Sequence, residues 1–570
     1  MSSGRTRKRY GIGVDTGGTF TDAVLLDLDT HQIIKTSKQP TTHYDISRGV
    51  MAALADVLAA HEGNAVTNIA LSTTLATNAI AEGHGARVGL LVIGPVKPFD
   101  LPVVSVRYID GGHDLRGVEV KPLETERIVE TVLSLKGHVD AYAIAASMSL
   151  ENPSHELVVA KAVELLDPKP AFCSHQISQH TGIMARAATA VFHARLMPIL
   201  MNFVSRLKQL AQEKRITAEM KIIRGDATAV DLESAVSRAA HTVASGPAAT
   251  AYFGAMSAVD QTALIVDIGG TTTDIALVED GRPVISTSGS LIDRWLTHVD
   301  AIKMHTVGIG GDSQVAIDRT GQLTIGPGRV QSLAMSPGIA DPAGWLGNDS
   351  QGRYLVRPGA GSSDPMDPIL EHLTNGGAAF AELRKRSGLS ESSLDRRIGA
   401  LVFQRQVVEI GFTPTDALHV LGMLDFGDGA LSEAGAGVLA RRRNQPVEAF
   451  CRAVVDLTQI KIADAVIAFL MAHVAGRNDA FIPFIRQKND YFSTQVRLAI
   501  PMVGIGAAAG RLLPEVAKRL ETPIIFPPHY EVGNAAGAIM IAAGKGQPHG
   551  KLQSEDPTHA RVLHGSARGG

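Results

Sequence analysis

Two stretches of this chain place aspartate, paired glycines and threonines at the same spacing. Residues 14–27 read VDTGGTFTDAVLLD and residues 266–279 read VDIGGTTTDIALVE. Val14, Asp15, Gly17, Gly18, Thr19, Thr21, Asp22 and Leu25 thus recur as Val266, Asp267, Gly269, Gly270, Thr271, Thr273, Asp274 and Leu277. The chemistry on offer is anion binding. Adjacent glycines let backbone N–H groups approach a ligand with no Cβ in the way. Threonine hydroxyls add donors, and an aspartate at a strand end can hold a hydrated Mg²⁺. Asp15 and Asp267 are therefore the expected metal-holding, catalytic carboxylates. Thr16, Gly17, Gly18, Thr19, Gly269, Gly270, Thr271 and Thr272 are the expected phosphate donors. Asp22 and Asp274 are expected to brace their loops by accepting N–H bonds. Two such loops, from two parts of one chain, could pinch a polyphosphate between them.

The flanking pattern says how these loops are held. Apolar runs lie on both sides of each, which predicts strand, glycine turn, strand, a hairpin rather than a strand feeding a helix. The P-loop spacing is absent, and a dinucleotide fingerprint would need a helix after the glycines. Two further glycine turns follow. Val307-Gly-Ile-Gly-Gly-Asp-Ser313 offers Gly310 and Gly311 as ligand contacts. Pro501-Met-Val-Gly-Ile-Gly-Ala-Ala-Ala-Gly510 offers Gly504 and Gly506, against which an adenine or ribose could lie.

Elsewhere the pattern predicts strands at 69–72, 88–93, 141–147 and 524–529, and helices at 75–82 and 182–210. A strand at 221–224 and a turn at 244–247 are expected to open a second segment before the second hairpin. Residues 336–363 read as a long loop, 378–480 as helical, and 533–539 as a small-residue helix suited to tight packing. The tail after 544 is polar and glycine-rich, and expected to be disordered.

A chain of 570 residues should divide into about two to four domains. Its 45% hydrophobic content and 57 glycines suit a turn-rich α/β protein, and a net charge of −3 points to neither nucleic acid nor membrane. No membrane span or signal peptide is read, so a cytoplasmic location is expected. Cys173 and Cys451 are too few for a disulfide framework or a cysteine metal site.

The order hairpin, hairpin, glycine turn, adenosine-type turn is similar to that of the actin-like ATPase superfamily. Within it, Gly13-Val-Asp-Thr-Gly-Gly-Thr-Phe-Thr-Asp22, Ser72-Thr-Thr-Leu-Ala-Thr-Asn78, Ser245-Gly-Pro-Ala248, Asp267-Ile-Gly-Gly-Thr-Thr-Thr-Asp274 and His305-Thr-Val-Gly-Ile-Gly-Gly311 resemble the hydantoinase A/oxoprolinase family. The resemblance implies an α/β fold: two ribonuclease-H-like domains with a nucleotide cleft, plus a helical insertion. The expected division is 8–190 for the first domain, 191–335 and 481–545 for the second, 336–480 for the insertion and 546–570 for the tail. ATP and Mg²⁺ are the implied cofactors. The implied activity is ATP-dependent opening of a cyclic amide (hydantoin, oxoproline or lactam), with ATP-dependent ketone carboxylation as the alternative. A B-type hydantoinase subunit is the implied partner, docked on 336–363 and 378–480, and an oligomer is expected. A small-molecule kinase or a switch ATPase would use the same cleft. Asn78, His305, His529 and His113 are weaker candidates, with packing roles as the competing explanation.

Overall fold

The computed structural model describes residues 9–544 except 18–19, 42–45, 60–65, 82–84, 99, 259–260, 287–288, 293–294, 348–351, 359–366, 374–375, 404–405, 426, 477–480 and 487–493. Both predicted hairpins form. Tyr10–Thr16 runs antiparallel to Phe20–Asp27 and sets Asp15 opposite Asp22. Ala263–Ile268 runs antiparallel to Thr273–Glu279 and sets Asp267 opposite Asp274.

Each hairpin seeds a larger sheet, and the two sheets follow one plan. In the first, Ile33–Pro40 extends the hairpin antiparallel, while Val66–Thr73 and then Glu219–Ile223 add parallel on the other side. In the second, Arg282–Pro283 extends it antiparallel, while Met502–Ile505 and then Ile524–Ile525 add parallel. Both read third, second, first, fourth, fifth across the sheet. The repeated phrase in the sequence therefore marks a repeated sheet. The two central strands are buried along their length, as a strand covered on both faces must be.

Two small-residue helices, Ser245–Ala255 and Gly533–Ala542, are shared by the sheets. Their alanines, with Val24 and Leu26 of the first sheet and Ile265 and Ile505 of the second, form one buried cluster. A Cβ on Gly13 would strike the Ala535 carbonyl, and one on Gly537 the Ala249 carbonyl. Strand and helices thus meet at backbone distance, which only glycine permits.

A third, parallel sheet joins Ala171–Cys173, Ala141–Ala146, Val88–Ile93 and Ser105–Ile109. The helices Thr125–Leu135 and Ser154–Leu166 pack on one face, and Ile183–Glu213 on the other. That last helix is long and apolar enough to cross a membrane, yet 67% of its most apolar window is buried inside the protein. Packing accounts for its composition.

Four sequence expectations are corrected. The strand expected at 221–224 does not open the second segment. It spans Glu219–Ile223 and joins the first sheet beside Val66–Thr73, past the boundary expected at 190. The long helix before it is the crossover a parallel strand requires. The turn expected at 244–247 is a helix start: Ala244 takes a left-handed φ of 62°, and Pro247 falls in the first turn, where its missing N–H costs nothing. Residues 336–480 are not only loop and helix. Tyr354–Val356, Ala378–Ala379 and Val408–Gly411 form a small sheet with Gln331–Ser332, and Phe412, Phe450 and Val466 share a core with Leu264 and Leu512. The strand expected at 524–529 is only Ile524–Ile525. The tail, 546–570, lies outside the described residues.

Candidate functional site

The central strands deliver Asp15 and Asp267, each one residue from its strand end, 5% and 8% exposed. The neighbouring parallel strand sets Ser72 beside Asp15, and Ser72 Oγ donates to Asp15 Oδ1 at 2.6 Å. On the other side Thr250, from the Ser245 helix, lies 3.2 Å from Asp267 Oδ2. Asn534, in the first turn of the Gly533 helix, connects the two. Its Nδ2 donates to Asp15 Oδ2 at 3.4 Å, and its Oδ1 accepts from Thr250 Oγ1 at 2.6 Å. Two carboxylates predicted from separate motifs are thus gathered through two intervening side chains.

Their electrostatics follow from burial. Desolvation pushes the Asp15 carboxyl up to about 6, tempered by the Ser72 bond. Desolvation, and then the Asp274 charge, push Asp267 up to about 7. Among the described residues neither has an ion-pair partner. Two desolvated carboxyls, each with oxygen ligands to offer, are a donor set that fits a hard divalent ion. Among the described residues, Asp22 and Asp274 accept no loop N–H. Asp22 pairs with Lys38 at 2.6 Å, and Asp274 accepts from Thr306 Oγ1 at 2.6 Å and from the Thr272 hydroxyl. Lys38 and Thr306 stand on the strands that pair with Asp22 and Asp274.

The predicted donors divide. Gly17 N–H donates to Phe20 O and Gly269 N–H to Thr272 O, so these amides close the hairpin turns instead of facing a ligand. Thr16 Oγ1 is buried and donates to Thr73 Oγ1 at 2.8 Å. Gly270 and Thr271 form an exposed tip, and among the described residues their N–H groups meet no acceptor. Gly18 and Thr19 lie outside the described residues. Gly311 N–H donates to Gly269 O and Gly310 N–H to Ser313 Oγ. That turn braces the second hairpin loop, with Asp312 N–H on Gly270 O, and its amides are spent.

Gly504 is buried within its strand, where a Cβ would meet Phe526 and Leu513. Gly506, at φ 93°, lies against Asp267: a Cβ there would collide with Oδ1 and with the Ile268 carbonyl. Its position places the backbone of this turn directly against the Asp267 carboxyl. His305 stacks on Phe469 at 6.4 Å and 11°. His113 lies against His155 with the rings tilted at 44° and meets Ser154 Oγ. His529 is an exposed turn residue with φ 60°. The Asn78 side chain lies outside the description.

Sequence reasoning missed Thr250 and Asn534. The usable signal was Asn534 itself, the one polar side chain in the helix Gly533-Asn-Ala-Ala-Gly-Ala-Ile-Met-Ile-Ala542.

A second polar cluster lies apart from this site. Glu156, Cys173 and His175 hold their ligand atoms within 4.8 Å of one another. Burial raises the Glu156 carboxyl, but His175 and Ser174 and the Ala146 N–H bring it below the ordinary glutamate value. Burial and the Glu156 charge push the Cys173 thiol up to about 12. Arg186, fully buried, donates to Ser174 Oγ and to the Ala146 and Ser147 carbonyls. The Glu156 oxygens already accept from Ser174, His175 and the Ala146 N–H, with the Arg186 guanidinium one hydroxyl away at Ser174, so the set fits a hydrogen-bonded brace of the third sheet.

The fold defines a mixed α/β protein in which two like sheets bring equivalent aspartates to one place. The chain belongs to the hydantoinase/oxoprolinase family: the model of the family's N-terminal region matches residues 11–166, and the hydantoinase/oxoprolinase model matches residues 186–544. It is 28% identical over 369 residues to the caprolactamase subunit alpha of Pseudomonas jessenii, covering 58% of this chain and 52% of that one. The nucleotide-free structure of acetone carboxylase, from work on ATP-dependent acetone carboxylation, covers 93% of this chain with a TM-score of 0.66 and 16% identity, over 70% of its own length. The crystal structure of the ATP-dependent caprolactamase from Pseudomonas jessenii gives a TM-score of 0.62 at 21% identity, covering 93% of this chain and 70% of that one. The chain spans about half the length of the caprolactamase and acetophenone carboxylase subunits it matches.

Proposed function

We propose that this chain is the ATP-using, A-type subunit of an enzyme that opens a cyclic amide of the hydantoin, oxoproline or lactam type. One observation carries the reading: Asp15 and Asp267, at equivalent points of two like sheets, converge without a cationic partner among the described residues. The two sheets would correspond to two ribonuclease-H-like halves of an actin-like ATPase, with nucleotide held near Asp15 and Asp267. Asp15 and Asp267 would hold Mg²⁺, which supplies charge neutralisation for the phosphates when bound. Gly270 and Thr271 would offer their amides to the phosphate oxygens.

An unstrained amide resists hydrolysis because its carbonyl is a poor electrophile. Attack of the carbonyl oxygen on the γ-phosphorus, with ADP leaving, gives a phosphorylated imidate. Water adds at the imidate carbon, collapse of the adduct breaks the C–N bond as the nitrogen takes a proton, and a second water hydrolyses the resulting acyl phosphate to carboxylate and phosphate. Phosphoryl transfer of this kind asks the protein for positioning and charge stabilisation, not for a strong base. The site offers carboxylates, amides and hydroxyls in that role. A ketone enolate oxygen would serve equally as nucleophile, and the fold shared with acetone carboxylase favours ketone carboxylation as the second reading.

The caprolactamase relative is named as a subunit, which supports a second chain, of B type, as the partner that completes the reaction. A cytoplasmic location fits an ATP-consuming reaction. ADP release measured across lactams, hydantoins and ketones, with and without bicarbonate, tests the assignment. Ring-opened product without bicarbonate supports amide hydrolysis. Bicarbonate-dependent turnover of ketones alone would replace it with carboxylation, and a stable phosphorylated product would make the chain a kinase.

A further inference from the structure

We propose that Asn534 is a positioning residue that yokes Asp15 to Asp267, so that the two carboxyls present one divalent-cation site instead of two independent ones. The inference rests on the reading of Asp15 and Asp267 as cation ligands, and adds a residue that neither motif contains. Asn534 is 519 positions from Asp15 in sequence, yet its amide hydrogen-bonds Asp15 and, through Thr250, adjoins Asp267. Its other bond, to Thr250 Oγ1, is the shortest of three that compete for one hydroxyl hydrogen; the rivals are the Gly246 carbonyl and Asp267 Oδ2, both at 3.2 Å.

The residue type is selective. A primary amide donates to a carboxylate and accepts from a hydroxyl with one planar group. Aspartate would lose the donor and add a third negative charge, and alanine would remove both bonds. Asparagine is also a weak helix former, and here it interrupts an otherwise apolar, small-residue helix. That helix is in turn locked against the first sheet at Gly13 and against the Ser245 helix at Gly537. The amide is therefore carried by the element that touches both halves of the site. A change in how the sheets sit would pull Asn534 from one carboxyl or the other.

The test uses the full chain, with Mn²⁺ as the probe, titrated in the presence of ADP and followed by electron paramagnetic resonance. Outer partners of metal ligands typically contribute 10–100-fold to metal affinity. Asn534→Ala should weaken Mn²⁺ binding by about tenfold or more, leave metal-free ADP binding within about twofold, and leave the melting temperature nearly unchanged. Asn534→Asp should not rescue. Thr250→Val, nearly isosteric, breaks the same connection from the Asp267 side and should show the same Mn²⁺ loss, which keeps the test open if Asn534→Ala fails to fold. Asp267→Asn serves as the reference. If it abolishes Mn²⁺ binding while the Asn534 and Thr250 variants bind as wild type, the yoke is refuted and the cation site stands. If Asp267→Asn itself binds Mn²⁺ normally, the reading of the carboxylates falls, and the yoke with it.

Discussion

Asp15 and Asp267 are each the penultimate residue of a central strand, and each faces a second aspartate across its own hairpin. The environments then diverge. Asp22, opposite Asp15, is neutralised by Lys38, whereas Asp274, opposite Asp267, has only hydroxyl partners, Thr306 and Thr272, among the described residues. The Asp274 charge is accordingly the second cause of the upward shift at Asp267. The wall formed by the second sheet is the one with more to gain from a cation.

Asp267→Asn should therefore separate activity from stability. ATP turnover is expected to fall ~10²–10³-fold, the usual consequence of removing one preorganised electrostatic contact. The ligand-free protein should melt at the same or a higher temperature, because a desolvated carboxyl without a counter-ion has been removed. Thermal denaturation and steady-state ADP release check both halves. Normal turnover in a folded variant would sink the two-carboxylate site.

The two glycines of the late turn should respond differently. Gly504→Ala would press on the Phe526 ring and on Leu513, a small-to-large change in a packed core that costs about 1–3 kcal/mol. Nucleotide affinity of the surviving protein should be unaltered. Gly506→Ala forces a left-handed φ on alanine and drives its Cβ against Asp267 Oδ1, so turnover should fall further than stability. Equal losses in both variants, by calorimetry and ATPase assay, would argue against this division.

Part of this architecture was legible in the sequence. A hairpin that repeats Asp-x-Gly-Gly-Thr with the same trailing Thr-x-Asp carries its own local evidence: the strand period, the glycine turn and the carboxylate all lie within fourteen residues. The strands at Val88–Ile93 and Ala141–Ala146 were equally readable as uninterrupted apolar runs. What escaped was long-range pairing. Nothing local tells Glu219–Ile223 to join Val66–Thr73, or Asn534 to meet Asp15. Nor does spacing reveal that the Gly310 and Gly311 amides are spent on Ser313 and Gly269, since a glycine turn that cradles an anion and one that cradles another turn have the same composition.

The Glu156 cluster makes a test of stability. Arg186→Met would leave the buried Glu156 charge without its guanidinium neighbour, and such a loss typically costs about 3–5 kcal/mol. The double variant Glu156→Gln with Arg186→Met should recover part of it. Glu156 is held below its ordinary value, so its contribution is present above the glutamate range and fades as the pH falls through the folded-state value. Chelator treatment should leave the melting curve unchanged. A melting temperature that drops on chelation and returns with zinc would overturn the assignment of this cluster as a brace.

The remaining expectation concerns the partner. Carbonyl activation by ATP needs what the two hairpins offer, but ring opening also needs a place where water reaches the activated carbon and bulk solvent does not. A phosphorylated imidate released into solvent would be lost, so a closed site shared with a second chain should receive it. The region 378–480, expected with 336–363 to carry that docking surface, buries Phe412, Phe450 and Val466 in the core of the second sheet, which leaves its outer faces for contact. The purified chain should hydrolyse ATP slowly in the presence of substrate and form little ring-opened product. Adding the B-type protein should raise product formation and couple it to ADP release one for one. Full coupled ring opening by the chain alone, measured by product chromatography against ADP, would show that no second subunit is required.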